Sequence, residues 1–358
     1  MSGLWKLQLR MSGQKSAGPC HSGNAEKSSG SGKAIGRSVM GEKKYAWTFP
    51  HVKGTMSTAN LMRMVLAALL PAAVFGVFHF GPEALAHMLV CVVTCMLTEF
   101  VFEAFADRPL AVTDCSAAVT GLLLALMLPV GAPLWLGIIG SVFAVAVVKM
   151  AFGGIGKNRL NPALCGYCLL LWLFSDIMRD YSFGDFGAET LLGQLLQGET
   201  VDPLPMILGN TNGGIGQTSS LAILAGALLL LAFGVIRLRI PAAAAVSFVL
   251  TLFLFGGRGF DQLWLTTQIC GGGFLLGIWF MAVDCVTSPI NRQGQVLYGL
   301  LIGVLAAALR LRGIEEAIVY AILVGNMAVP LIEKITVPRA FGQRRLVKVH
   351  NDKNSGTA

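Results

Sequence analysis

Asp185-Phe186-Gly187-Ala188-Glu189-Thr190-Leu191-Leu192 lies in the one long polar interruption of an otherwise apolar chain, about residues 176–217. About five hydrophobic spans precede the interruption and about five follow it. A polar segment between two apolar halves decides the fold class: two membrane halves joined outside the bilayer. Composition alone suits a plain connector, and the weight of the stretch rests on what surrounds it.

The chain is 54% hydrophobic and 13% charged, with mean hydropathy +0.68. Soluble domains carry about 25% charged residues, so too little polar surface is left to keep a particle of this size in water. The reading is an all-α polytopic membrane protein. Continuous rather than alternating apolar runs exclude a β-barrel. Net charge is +8, but nine of the 27 Lys and Arg precede residue 60 and six follow residue 333. Basic tails flanking spans are topology signals before they are nucleic-acid signals, and no nucleic-acid partner is expected.

Residues 1–57 are rich in Gly, Ser and Lys and cannot offset their chain entropy by burial, so a disordered basic tail is expected. No apolar core follows the early basic residues, which argues against a secretory signal peptide. Residues 58–336 form the membrane domain, with spans one to five over about 61–178 and spans six to ten over about 218–333. At ~20 apolar residues per crossing, the candidates are 61–79, 84–105, 112–130, 133–152, 162–178, 218–236, 239–256, 266–284, 294–311 and 314–333. Residues 337–358 form a second basic tail.

With the N-terminal tail inside, the inner loops hold Arg108, Lys157, Arg159, Arg237, Arg239 and Arg292, and the 176–217 segment falls outside. That segment sets Asp176, Asp180, Asp185, Glu189, Glu199 and Asp202 against a single base, Arg179. Arg258, Arg310 and Arg312 violate the rule. The majority places both termini in the cytoplasm. Five spans per half require the second half to be inverted if the two are repeats. Leu160-Asn161-Pro162-Ala163-Leu164 and Gly325-Asn326-Met327-Ala328-Val329-Pro330 are the local likeness that suggests it. Inverted repeats place a pathway at their interface; coincidence between apolar segments is the alternative.

Two segments are more specific than composition. One runs Thr113-Asp114-Cys115-Ser116 into Thr120–Pro129, then Phe152-Gly153-Gly154-Ile155-Gly156-Lys157-Asn158 and Asn161-Pro162-Ala163-Leu164. The other is Asp284-Cys285-Val286-Thr287-Ser288-Pro289, Arg292-Gln293-Gly294-Gln295, Tyr298-Gly299 and Asn326–Pro330. With Pro50-His51 and Leu69-Leu70-Pro71, these resemble the RnfD component of the Rnf ion-translocating ferredoxin:NAD oxidoreductase complex. More distantly they resemble the NqrB component of the sodium-pumping NADH:quinone reductase. The likeness covers about residues 48–336.

The resemblance implies an electron-transfer subunit of a complex that couples ferredoxin:NAD oxidoreduction to sodium or proton translocation. It also implies other membrane and peripheral subunits as partners, and FMN joined by a phosphoester to a Thr hydroxyl. The family's attachment signature is a hydroxyl residue, Gly, Ala, Thr, then Pro-Leu, with an Asp upstream. Asp185, Gly187, Ala188, Thr190 and Leu192 match in order, which makes Thr190 the FMN-bearing residue. Phe186 stands where the hydroxyl residue is usual, Glu189 is inserted, and Leu191 replaces Pro. A flexible Gly-containing loop lets a Thr hydroxyl reach a transferase, and the isoalloxazine ring supplies the redox chemistry. Arg179 or a partner is expected to offset the acidic surroundings of the phosphate. A second, non-covalent flavin, riboflavin, in the bundle is left open.

Ionisable residues in spans are costly and often functional. Glu99 and Glu103, four apart, together with Asp114 and Asp284, are candidates for an ion path. Capping or mutual pairing is the alternative, and it is the preferred reading for Lys149. Cys165-Gly166-Tyr167-Cys168 has C-x-x-C spacing, but thiols in apolar spans behave as small hydrophobes, so no metal site is expected. Gly213-Gly214-Ile215-Gly216 reads as flexible, with nothing to mark a nucleotide cradle. No dinucleotide fingerprint is present, so no NAD site is expected in this chain. The competing function is a solute channel or transporter built on the inverted-repeat bundle, without flavin.

Overall fold

The computed structural model describes residues 57–106, 114–154, 156–184 and 187–336. The expectations for both basic tails and for Asp185 lie outside the described residues. Among the described residues every regular element is a helix, and the chain is an all-α polytopic membrane protein. The first half holds α1 (Thr58–Phe80), α2 (Pro82–Phe105), α3 (Ser116–Met127), α4 (Leu134–Val142, continuing as a π-helix over Phe143–Met150) and α5 (Pro162–Leu173). A single helical turn over Ser175–Met178 opens the polar segment, and two short helices follow, α6 (Leu191–Leu196) and α7 (Leu204–Leu208). The second half holds α8 (Ser220–Ala232), α9 (Arg239–Phe255), α10 (Gln262–Cys270), α11 (Phe274–Leu276, continuing as a π-helix over Gly277–Met281), α12 (Arg292–Arg310) and α13 (Ala317–Thr336).

Each of the ten expected spans coincides with a helix or with the bent pair α10–α11, but they are unequal. Four helices (α1, α2, α12 and α13) are long and apolar enough to cross a bilayer, and α10–α11 would make a fifth as one span bent by 58°. The bend falls at Gly271-Gly272-Gly273, where Gly272 and Gly273 take φ of +58° and +63°, a backbone only glycine adopts freely. The other five are shorter apolar helices of 10–17 residues. Non-helical backbone at such depth is tolerated where protein, not lipid, covers it.

The two halves pack in the same order. In the first, α2 rests on α3 and α4, and α5 on both; in the second, α9 rests on α11 and α12, and α13 on both. Across the halves α1 meets α8 and α5 meets α13. The contact between α9 and α12 is close because Gly299 and Gly303 share one face of α12. An added Cβ at Gly299 would lie 2.7 Å from the Ile240 carbonyl oxygen, and one at Gly303 would overlap Ala244 and Ser247. Small residues four apart let helix backbones approach in this way.

Two expectations need correction. Asn161 is the N-cap of α5, its Oδ1 accepting from the amides of Ala163 and Leu164, whereas Asn326 lies inside α13 and accepts from the Tyr298 hydroxyl. The local likeness around these two residues therefore marks different positions along a helix. Gly213–Gly216 is not a loose loop either. The Ile215 and Gly216 amides donate to Leu128 O (3.0 Å) and Leu126 O (2.8 Å), and Ile215 is fully buried. The segment satisfies carbonyls that the end of α3 leaves open. Its glycines are needed for proximity, since a Cβ at Gly216 would lie 2.6 Å from the Leu126 side chain.

Candidate functional site

The polar segment docks on the bundle rather than projecting from it. Leu192 and Leu195 of α6 and Met206 of α7 are buried, and both short helices pack on α10. Hydrophobic docking of this kind holds Thr190 against the bundle end. Its φ and ψ of −72° and 157° are those of an N-cap, and its Oγ1 accepts from the Gly193 amide at 3.0 Å. The preceding loop is pinned as well. Asn212 Nδ2 donates to Gly187 O and Glu189 O, both at 2.6 Å, and the Tyr181 amide donates to Ala188 O at 3.1 Å. Glu189 is exposed, so the inserted carboxylate lies outside the packed face of the loop.

The Thr190 hydroxyl donates to Glu315 Oε2 at 2.7 Å. Glu315 sits in the short turn between α12 and α13, 125 residues away in sequence. A small cavity of about 30 Å³ opens at this pair, lined also by Tyr181, Asn212, Gln217 and Gly272. Burial pushes the Glu315 carboxyl up; the Thr190 hydroxyl, Arg310 and Arg179 pull it back, while neighbouring Glu316 adds to the rise. Arg179, expected to offset the acidic segment, is thus within electrostatic reach of the site. Sequence reasoning misses Arg310. It is fully buried beside Gly272, with one bond, from Nη2 to Gly271 O at 3.4 Å, and its Nε and Nη1 have no partner among the described residues. Its violation of the charge rule is the available signal: this arginine is buried structure, not a topology marker.

At the other end of the bundle, α12's 19 residues away, or ~28 Å at 1.5 Å per residue, the ion-path candidates separate. Lys149 Nζ lies 2.6 Å from Glu99 Oε1 and 2.6 Å from Ser116 Oγ, with both charged side chains buried. Glu103 is buried on the same helix as Glu99. Asp284 accepts from the Val286 amide and the Thr287 hydroxyl within its own turn. Lys149, Ser116 and Asp284 line a second cavity of about 90 Å³, together with Asn158, Asn161 and Phe280; Glu99, Glu103 and Asp114 do not line it. Cys165 and Cys168 are free thiols on α5, and among the described residues no three His, Cys, Asp or Glu are grouped to hold a metal.

Comparison with known proteins matches residues 46–342 to the family model NQR2, RnfD, RnfE. The D component of a Na(+)-translocating ferredoxin:NAD(+) oxidoreductase complex from Acetobacterium woodii is 38% identical over 309 residues, covering 84% of this chain and 95% of that protein. Its counterpart in a proton-translocating complex from Clostridium ljungdahlii is 36% identical, covering 83% and 95%. The D component of an ion-translocating oxidoreductase complex from Escherichia fergusonii is 30% identical, covering 83% and 97%.

Proposed function

The chain belongs to the NQR2, RnfD, RnfE family, and from that premise we propose that it carries electrons on FMN joined through a phosphoester to Thr190. It is a multi-pass membrane subunit of an ion-translocating oxidoreductase complex. The carrying observation is the Thr190 hydroxyl, which lines a cavity, follows the pinned Gly187-Ala188 loop and donates a hydrogen bond to the Glu315 carboxyl. The residues present fit a phosphodiester. Gly187 leaves the exposed backbone unobstructed, Glu189 stays outside, and Arg310 lies buried behind Gly272 with unmet donors. Covalently held FMN would supply one- and two-electron chemistry. The chain's own part is to fix the attachment oxygen against the bundle end, where the docked α6 and α7 keep it from swinging free.

In this reading ferredoxin and NAD bind other subunits, and both termini are cytoplasmic with the 176–217 segment on the opposite side. The larger cavity is the proposed seat of non-covalent riboflavin. Its apolar walls, with Asn158, Asn161 and Lys149 among them, suit a ring system with polar edges. The cation is not inherited with the family, because relatives at 38% and 36% identity are named for sodium and for protons.

The test is mass spectrometry of the peptide containing Thr190, with in-gel flavin fluorescence of the denatured chain. We expect the peptide to carry the mass of FMN, and Thr190→Ala to abolish the fluorescence. An unmodified peptide, from cells that flavinylate their other targets, refutes the assignment and favours a flavin-free transporter.

A further inference from the structure

We propose that Glu315 is the base that takes the Thr190 proton when the flavin phosphate is attached, so that this chain assists its own modification. The inference rests on Thr190 being the attachment residue. A Thr hydroxyl has one donor and two lone pairs. Here the donor points to Glu315 Oε2 at 2.7 Å and one lone pair accepts from the Gly193 amide at 3.0 Å. The second lone pair is left for a phosphorus centre, with the proton already directed at its acceptor. Room for that acceptor is built in. A Cβ at Gly193 would lie 2.6 Å from Glu315 Oε1, and one at Gly272 would collide with the Glu315 carbonyl. Gly193 therefore leaves the space the carboxylate occupies, and Gly272 admits the backbone of the same residue, beside a small cavity lined by Thr190 and Glu315.

The donor is a flavin dinucleotide, in which FMN is linked through a pyrophosphate to a second nucleotide. Thr190 Oγ1 forms a bond to the FMN phosphorus, and the P–O bond to the second phosphate breaks. That nucleoside monophosphate leaves with the electron pair, and the hydroxyl proton passes to Glu315. No electrons are transferred. A general base in hydrogen-bond contact contributes on the order of 10²–10⁴ in rate. Burial holds the Glu315 carboxyl above the usual carboxylate range, which makes it a stronger proton acceptor than an exposed glutamate.

The alternative is that Glu315 only buttresses the Thr190 cap. Glu315→Gln separates the two, because an amide oxygen still accepts the hydroxyl hydrogen bond but does not take the proton. The full-length apo-chain, purified in detergent, is incubated with FAD and an FAD-dependent flavin transferase. A second acceptor protein in the same tube corrects for the transferase's own pH dependence. Label at the Thr190 peptide is followed by mass spectrometry from pH 5 to 9. Wild type is expected to label faster, relative to the reference, as pH rises and then to level off. Glu315→Gln is expected to label about a hundredfold more slowly, with no rise. A Glu315→Gln rate within threefold of wild type overturns the base role and leaves Thr190 as the attachment site. Label retained in Thr190→Ala overturns the attachment site and the base role with it. If Glu315→Gln does not fold, the wild-type profile decides, since a ratio independent of pH refutes proton transfer to Glu315.

Discussion

Lys149→Met removes the cation bonded to the buried Glu99 carboxylate while keeping the length of the side chain. The Lys149 and Glu99 side chains are 4% and 2% exposed, and their charged atoms are 2.6 Å apart. At that separation an effective dielectric of about 20 gives a gross attraction of roughly 6 kcal/mol. Part of it is offset by the desolvation of two charges, and removing one partner from such a pair costs about 3–5 kcal/mol. Glu99 is then left buried without the counter-charge of Lys149. At about 2–4 °C per kcal/mol, the melting temperature of the purified chain in nanodiscs should fall by roughly 6–20 °C. Lys149→Met with Glu99→Gln removes both charges and should recover most of that loss, because a neutralised pair costs far less than a broken one. An unchanged single variant, or a double variant less stable than the single one, would refute the account of Lys149 as a buried counter-ion.

Asn212→Ala deletes two hydrogen bonds to the 187–189 backbone. At about 1 kcal/mol each, local opening should rise about five- to thirtyfold, read as faster limited proteolysis at this loop; an unchanged rate argues against pinning. Glu315→Gln should alter the dependence of stability on pH. The folded Glu315 carboxyl is raised by burial and the unfolded one titrates near about 4.3. The folded state therefore holds the proton more tightly, and wild type loses stability as pH rises from about 4.3 through the folded value. The advantage of Glu315→Gln in denaturation should grow across that window and then level off, and the opposite slope sinks the burial argument. Glu199→Cys, at an exposed position, should react with a membrane-impermeant thiol reagent in intact cells. Labelling only after lysis would reverse the proposed sidedness.

Much of the fold was legible because bilayer burial writes itself as continuous apolar runs, and each of the ten runs coincides with helical structure. Shortening was not legible. The runs 112–130 and 218–236 are mostly apolar, yet their helices stop at Met127 and Ala232, because hydrophobicity records burial in a bilayer or a protein but not where the backbone leaves the helix. Gly213–Gly216 shows the same limit. Glycine has one composition but two uses, conformational freedom and absence of volume, and here Leu126 fills the space a side chain would need. The break in α10–α11 was visible in principle, as three consecutive glycines within a candidate span.

At the proposed site, Gly187, Ala188 and Thr190 were named from sequence because a loop motif is local, whereas Glu315 and Arg310 are brought near Thr190 only by folding. Their arrival resolves the difficulty that the acidic segment posed. A phosphodiester beside a carboxylate adds a like charge where Glu315 and Glu316 already face Arg179 and Arg310. If the Thr190 proton moves to Glu315, one anion appears on the phosphate as another disappears from the carboxyl, and the cluster keeps its net charge. Burial of Glu315, which disfavours its charged form, then favours keeping that proton after attachment. The unmet Nε and Nη1 of Arg310 remain as counter-charge behind Gly272. The same contact that activates the hydroxyl thus makes the acidic surroundings compatible with the phosphate it would carry.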